Sequence, residues 1–154
     1  MKEVTGDLVD MLYSREFDVG IHGCNCFHTM KAGIAKSMLS TFPGIEEADR
    51  YESVYANEDK LGTFTSRTFT RNLFGDVTII NAYTQFTYAR NEQVADYDAI
   101  RKVFKKIKLI FGGKDLTFGI PKIGAGLAGG NWGVISKIIE EEMEGEDLTL
   151  VVLW

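Results

Sequence analysis

The segment Gly124-Ala125-Gly126-Leu127-Ala128-Gly129-Gly130 stands between an apolar run, Leu116–Ile123, and a stretch of helical period, Trp132–Met143, for which Asn131 is a good N-cap. A strand, a glycine loop and a helix in that order bring backbone close to a phosphate and aim helix N-terminal amides at it. The loop satisfies GxGxxG, a pattern that a tight turn needing several positive φ angles also satisfies. A dinucleotide-binding Rossmann domain places this pattern in its first βαβ unit, with an acid at the end of the next strand. Here only one more helix and strand follow, and Asp147 lies at the start of that strand. Hydride transfer on a Rossmann fold is therefore not expected.

Outward from this loop, strand-like and helical segments alternate. Leu148–Trp154 reads as a last apolar strand. Upstream, Asp96–Phe111 is the clearest helix: Tyr97, Ile100, Val103, Phe104, Ile107 and Ile110 make one apolar stripe. Asp96 and Asp98 near its start and Lys105, Lys106 and Lys108 near its end match the helix dipole, and Gly112-Gly113 is a natural stop. Thr63–Phe69 and Val77–Gln85 read as strands joined by a turn at Asn72–Asp76. Gly33–Phe42 is a helix stopped by Pro43-Gly44, and Ile45–Tyr55 is a second helical stretch. Phe17–Cys26 is apolar enough for a central strand, and a short first strand, Lys2–Val4, ends at Gly6-Asp7. The pattern predicts an α/β fold with helices on both faces of a mixed sheet, one domain over residues 1–154.

The chain of 154 residues carries 17 Lys+Arg against 22 Asp+Glu, a net charge of −5. That balance argues against broad binding to a nucleic-acid backbone, and Arg101, Lys102 and Lys105 read as a solvated helix face. It leaves room for a small anionic ligand, because backbone amides bind phosphate without net positive charge. No apolar window reaches the length of a membrane span, and the start, with Lys2, Glu3 and Asp7, lacks the apolar core of a signal peptide. The two cysteines, Cys24 and Cys26, are one residue apart and offer no long loop for a disulfide to close. A cytoplasmic, monomeric protein without membrane contact is expected.

The other candidate site is His22-Gly23-Cys24-Asn25-Cys26-Phe27-His28, followed by Thr29–Ala35. His22, Cys24, Cys26 and His28 alternate, so an extended strand would put them on one face. Such neighbours are about 6.5–7 Å apart, too far to converge on one ion with bonds of about 2.0–2.3 Å. No metal and no cofactor are expected, and both cysteines read as small buried residues. A Cys–His nucleophilic pair is conceivable, but a thiol inside a central strand is poorly exposed for attack. Asn25 carries an amide that both donates and accepts, which suits a vicinal diol such as a ribose.

GDL at Gly6–Leu8, HGCNC at His22–Cys26, AGIA at Ala32–Ala35, NAYTQ at Asn81–Gln85 and IPKIGAGLAGGNW at Ile120–Trp132 together resemble the macro domain family. The likeness is greatest to its stand-alone branch of ADP-ribose 1″-phosphate phosphatases, and it spans essentially the whole chain. The resemblance implies a three-layer α/β/α sandwich around a six-stranded mixed sheet, with ADP-ribose held at the strand C-terminal ends. It implies that Asp7 bonds the adenine amine, with Leu8 supplying a neighbouring amide, and that Asn25 contacts the distal ribose. Gly33, Ile34 and Ala35 would form one wall of the diphosphate site, and Gly124, Ala125, Gly126, Leu127 and Ala128 the other. Tyr83, Phe86 and Tyr88 are candidates to stack on adenine, although aromatics near strand ends are more often core. From the residues alone, Asp7 reads first as a turn or cap residue and His22 as a satisfied core histidine.

The activity so implied is hydrolysis of ADP-ribose 1″-phosphate, with Asn25 orienting the ribose and His22 or His28 moving a proton. Two alternatives stand beside it: a hydrolase that removes ADP-ribose from protein or nucleic acid, and a non-catalytic ADP-ribose reader. Macro domains that use a lysine–aspartate pair place the aspartate in the second glycine loop. Gly124–Gly130 contains no carboxylate and Thr63–Phe69 no lysine, so that mechanism is not expected.

Overall fold

The computed structural model describes residues 1–50, 56–71, 75–88 and 93–153. Its strands are β1 (Lys2–Thr5), β2 (Val19–Cys24), β3 (Phe64–Arg71), β4 (Gly75–Tyr83), β5 (Thr117–Ile120) and β6 (Asp147–Val152). They form one sheet in the order β1-β6-β5-β2-β4-β3. Every pair is parallel except β3–β4. β2 is interior to the sheet, which explains why its residues are nearly all apolar and buried. The helices are α1 (Leu8–Tyr13), α2 (Gly33–Thr41), α3 (Gly44–Arg50), α4 (Tyr97–Phe111) and α5 (Trp132–Glu142), with a 3₁₀ turn at Glu58–Lys60.

Two apolar clusters make the layers. On one face Ile100, Phe104 and Ile107 of α4 and Ile135 and Ile139 of α5 pack on Ile21, Ile80, Phe118 and Leu150. On the other, Leu8 and Leu12 of α1, Met38 of α2 and Ile45 of α3 pack on Val77, Ile79 and Val151. This is the expected sandwich on a mixed sheet. Of the α4 stripe Ile100, Val103, Phe104 and Ile107 are buried, Tyr97 is half-buried and Ile110, in the last turn, is exposed; Asp96 caps α4 by accepting from the Ala99 amide at 3.0 Å, and Asn131 caps α5 by accepting from Val134 at 3.2 Å. Among the described residues no helix is long and apolar enough to cross a membrane.

Several boundaries differ from expectation. Helix α1 has no counterpart among the expected elements, and of the turn and cap readings of Asp7 the structure bears out the cap, its side chain accepting from the Asp10 amide at 3.1 Å. β2 is shorter than Phe17–Cys26 because Asn25 opens a loop. β5 stops at Ile120 because Pro121 has no N–H for the ladder. At the end of α4 the left-handed residue is Gly113 (φ +70°), not Gly112. The second helix expected to reach Tyr55 is α3 up to Arg50, its remainder lying outside the described residues, as do Asn72–Phe74 of the expected turn and Trp154.

Candidate functional site

The C-terminal ends of β2, β4 and β5 open into a cleft of about 860 Å³. Asn25, Thr29, Lys31 and Gly33–Ala35 form one wall, and Lys122, Gly124 and Gly126–Ala128 the other, with Gly23, Cys24 and Ile123 between them. Gln85 and Tyr88, following β4, close one end.

The first wall is built by Asn25. Its Oδ1 accepts from the Phe27 amide at 2.9 Å and its Nδ2 donates to the Thr29 carbonyl at 3.1 Å, folding the loop back. The Cys26 amide donates to the Phe86 carbonyl at 2.9 Å, tying the loop to the segment after β4. Each Asn25 group keeps one remaining hydrogen or lone pair for a ligand. α2 then begins at Gly33, φ +59°, behind Ala32, a cap residue whose side chain makes no capping bond; no acid occupies its first turn. The amides of Ile34 and Ala35 therefore lack intrahelical acceptors and carry the partial positive charge of a helix start.

The second wall is a compact glycine turn. Gly124 has φ +74°, and the Gly130 amide donates to the Gly124 carbonyl at 2.7 Å. A Cβ at Gly130 would stand 2.7 Å from that same carbonyl, so only glycine closes the turn. The Ala128 carbonyl accepts from Val94 and Ala95, while among the described residues the amides of Gly126, Leu127 and Ala128 have no backbone acceptor. A Cβ on Gly33 would lie 3.7 Å from Leu127 Cδ1, so the two walls approach closely there. Amides without backbone acceptors on both walls, at Ile34 and Ala35 and at Gly126, Leu127 and Ala128, suit a chain of phosphates.

Of the residues expected in the site, Asn25, Gly33, Ile34, Ala35, Gly124, Gly126, Leu127 and Ala128 are brought together here. Ala125 sits in the same turn, its amide spent on the Lys122 carbonyl. Asp7, Leu8, His28 and Phe86 do not line the cleft. Leu8 is buried in the α1 core, and His28 holds φ +53° in the first loop, its pKa lowered by burial and then by Lys60. Lys31, Lys122 and Gln85 also line the cleft; the sequence does not single them out, since an isolated Lys or Gln carries no spacing signal.

His22 and Tyr83 need correction. Both are fully buried on the α2/α3 side of the sheet, in a chain of hydrogen bonds. Lys60 Nζ donates to Asp49 Oδ1 at 3.0 Å, and Tyr83 OH donates to the same oxygen at 2.7 Å. The Tyr83 oxygen therefore accepts from Thr65 Oγ1 at 2.7 Å, and Thr65 accepts from Asn81 Nδ2 at 3.1 Å. Asn81 Nδ2 also donates to the Ile45 carbonyl, an acceptor only, so its Oδ1 faces His22 Nε2 at 2.6 Å. His22 is then the Nε2–H tautomer, with Cys24 Sγ against its ring, 3.8 Å from Nδ1 and 3.7 Å from Nε2. Burial lowers the His22 pKa against the opposing Asn81 bond, and burial pushes the Cys24 thiol up. Cys26 is pushed up to about 11 by the same cause. His22 is a satisfied core histidine, Tyr83 is no stacking partner for adenine, and neither thiol is poised as a nucleophile.

Comparison with known proteins places this architecture. No family model matches the chain. The macrodomain of Mycobacterium tuberculosis DarG superposes with a TM-score of 0.76 at 18% identity, covering 99% of this chain and 95% of that one. Thermosipho africanus DarTG, solved in complex with ADP-ribose, superposes with a TM-score of 0.69 at 14% identity, covering 99% of this chain and 42% of that one. The fold is that of macrodomains. In sequence the chain is 32% identical to the "Uncharacterized 17.5 kDa protein in tk-vs intergenic region" of Enterobacteria phage T4, over 98% of this chain and 95% of the phage protein. The chain belongs to the family of that phage protein.

Proposed function

We propose that this chain binds ADP-ribose along the cleft and hydrolyses ADP-ribose 1″-phosphate to ADP-ribose and phosphate. The observation that carries the reading is the lining: backbone amides on both walls with Lys31 and Lys122 beside them, and no carboxylate among the described lining residues. Such a surface favours a diphosphate ester in a protein whose net charge is −5. That a protein of the same fold is solved with ADP-ribose supports the ligand class. Asn25 offers its remaining hydrogen and lone pair to the distal ribose. With His22 in the core and His28 outside the lining, the charge of the departing phosphate is met by Lys31 or Lys122 rather than by an imidazolium.

The test is incubation of the protein with ADP-ribose 1″-phosphate, ADP-ribosylated protein and ADP-ribosylated DNA, reading released phosphate and ADP-ribose. Phosphate release from the first substrate, lost in a Lys31→Gln/Lys122→Gln variant that still folds, is the expected result. Release of ADP-ribose from a macromolecule instead would replace it with the de-ADP-ribosylating reading. Tight binding with no turnover of any substrate would make the chain a reader.

A further inference from the structure

β3 is the last strand of the sheet, paired with β4 on one side and, among the described residues, with no strand on the other. Edge strands bare a row of backbone N–H and C=O groups, and proteins guard them by shortness, charge, proline or a bulge. The opposite edge is guarded in this way. β1 has four residues, two of them Lys2 and Glu3, and Lys2 is bonded to Asp147 at 2.6 Å. β3 has none of these guards. It runs for eight residues, pairs with β4 one-to-one from Phe64↔Ala82 to Arg71↔Gly75, and contains no Pro, Lys, Asp or Glu. Threonine and phenylalanine, both strong strand formers, fill most of it, and Ser66, Arg67, Thr68 and Thr70 are exposed. The ladder also fixes which backbone groups face outward. The Tyr83 amide donates to the Thr63 carbonyl at 3.0 Å, so residues 65, 67 and 69 aim at β4 and Ser66, Thr68 and Thr70 aim away from it.

We propose that this edge is the interface of a homodimer, in which β3 pairs antiparallel with β3 of a second copy about a two-fold axis at Thr68. That register uses every outward residue: Thr68 exchanges both its bonds with the partner's Thr68, and Ser66 exchanges both with the partner's Thr70 on either side of the axis. It also sets Arg67 opposite the partner's Phe69, between the hydrogen-bonded pairs, where side chains come closest. Within one chain the Arg67 guanidinium already stands 5.8 Å from the Phe69 ring centroid and is held by Glu47 at 2.5 Å. A second aromatic ring across the axis adds a cation–aromatic contact on each side. A register centred on Arg67 would oppose two arginines and meet the partner with groups already spent on β4. One centred on Ser66 would shorten the overlap. The strand thus complements itself, as a two-fold interface requires, which favours a second copy over a strand of another protein. A homodimer replaces the monomer expected from the sequence. The cleft lies at the C-terminal ends of β2, β4 and β5, and the axis turns the partner's cleft to the opposite end of the joined sheet. The interface is therefore independent of the ligand reading.

The test measures mass by light scattering and amide hydrogen exchange by NMR on the full chain, as wild type, Thr68→Val and Thr68→Lys. Thr68 is exposed and its hydroxyl bonds Thr78 Oγ1 at 2.8 Å on the sheet surface, so both variants should fold, which their melting curves at high dilution check. Wild type should show twice the chain mass at micromolar concentration and above. The amides of Ser66, Thr68 and Thr70 should then exchange as slowly as those of Thr65, Arg67 and Phe69. Thr68→Val, which keeps strand propensity, should remain a dimer. Thr68→Lys sets two like charges against each other on the axis and should return the mass to that of one chain. Its amides at 66, 68 and 70 should exchange roughly ten-fold faster or more, while those at 65, 67 and 69 stay slow. The melting temperature of wild type, and not that of Thr68→Lys, should rise with protein concentration. Wild type with the mass of one chain and fast exchange at 66, 68 and 70 would overturn the inference, leaving the edge to a strand of another protein. A dimer that Thr68→Lys leaves intact would also overturn it, by placing the contact on another surface.

Discussion

At the scale of single residues, the protons of the buried chain from Lys60 to His22 are ordered by one fixed acceptor, the Ile45 carbonyl. Burial keeps His22 neutral and holds its folded pKa below the ordinary value, against the opposing Asn81 bond. As pH falls below about 6.5 the unfolded chain takes the proton first. The unfolded state then binds more protons than the native one, so stability rises with pH in this window. His22 contributes nothing to that dependence above the window, and stability is lost as pH falls from about 6.5 toward the folded pKa. Urea midpoints of wild type and His22→Gln, measured at pH 7.5 and pH 5.5, should show the larger acid loss in wild type. An equal loss in both would mean that His22 protonates freely in the fold. The Asp49–Lys60 pair, 1% and 4% exposed at its side chains, is a buried ion pair. Lys60→Met should cost about 3–5 kcal/mol by removing one partner of a buried ion pair. Adding Asp49→Asn should recover part of that loss, and strict additivity in the double-mutant cycle would show that the pair is not coupled. None of this chain of bonds could be read from the sequence. It joins residues 22, 49, 60, 65, 81 and 83, which share no period, and only the β2–β4 and β3–β4 registers align His22 with Asn81 and Asn81 with Thr65.

At the scale of elements, periodicity worked where an element was long enough to show it. α4 buries Ile100, Val103, Phe104 and Ile107 along one stripe and was readable to its cap. α1 has six residues, under two turns, too few for a period to register. Its signal was the cap: Asp7 followed by Leu8, Val9 and Leu12, all three buried. Both glycine loops were visible as composition, but the positions of Lys31 and Lys122 on facing walls depend on the parallel pairing of β2 with β5. The dual reading of Asp7, as cap and as adenine partner, can be separated by substitution. Asp7→Ala should cost about 1 kcal/mol of stability through the lost cap, whereas Asp7→Ser, which also caps, should stay within a few tenths. If Asp7 also bonds adenine, both variants weaken ADP-ribose and neither weakens ribose 5-phosphate. Wild-type ADP-ribose affinity in Asp7→Ser would leave Asp7 with its capping role alone.

At the scale of the whole molecule, the chain sets a locally cationic, amide-lined cleft in a body of net charge −5. The acidic body repels a polyanion at long range, and at 0.15 M ionic strength that repulsion is screened beyond about 8 Å. The amides of Ile34, Ala35, Gly126, Leu127 and Ala128 act at contact distance, where salt screens little. Added salt should therefore change ADP-ribose affinity weakly, in contrast to a phosphate-backbone binder. A ligand that binds only the native state stabilises it by about 2.7 kcal/mol at a hundred times its Kd. For a domain of this size 1 kcal/mol corresponds to roughly 2–4 °C. A thermal titration with ADP-ribose should accordingly raise the melting temperature by about 5–10 °C at that excess, and nearly as much at 0.3 M as at 0.05 M salt. Adenosine, which has no diphosphate to engage either wall, should give little shift. A folded protein that shows no shift with millimolar ADP-ribose would show that the two walls do not hold a diphosphate. A shift that disappears at 0.3 M salt would instead move the binding energy from the amides to Lys31 and Lys122.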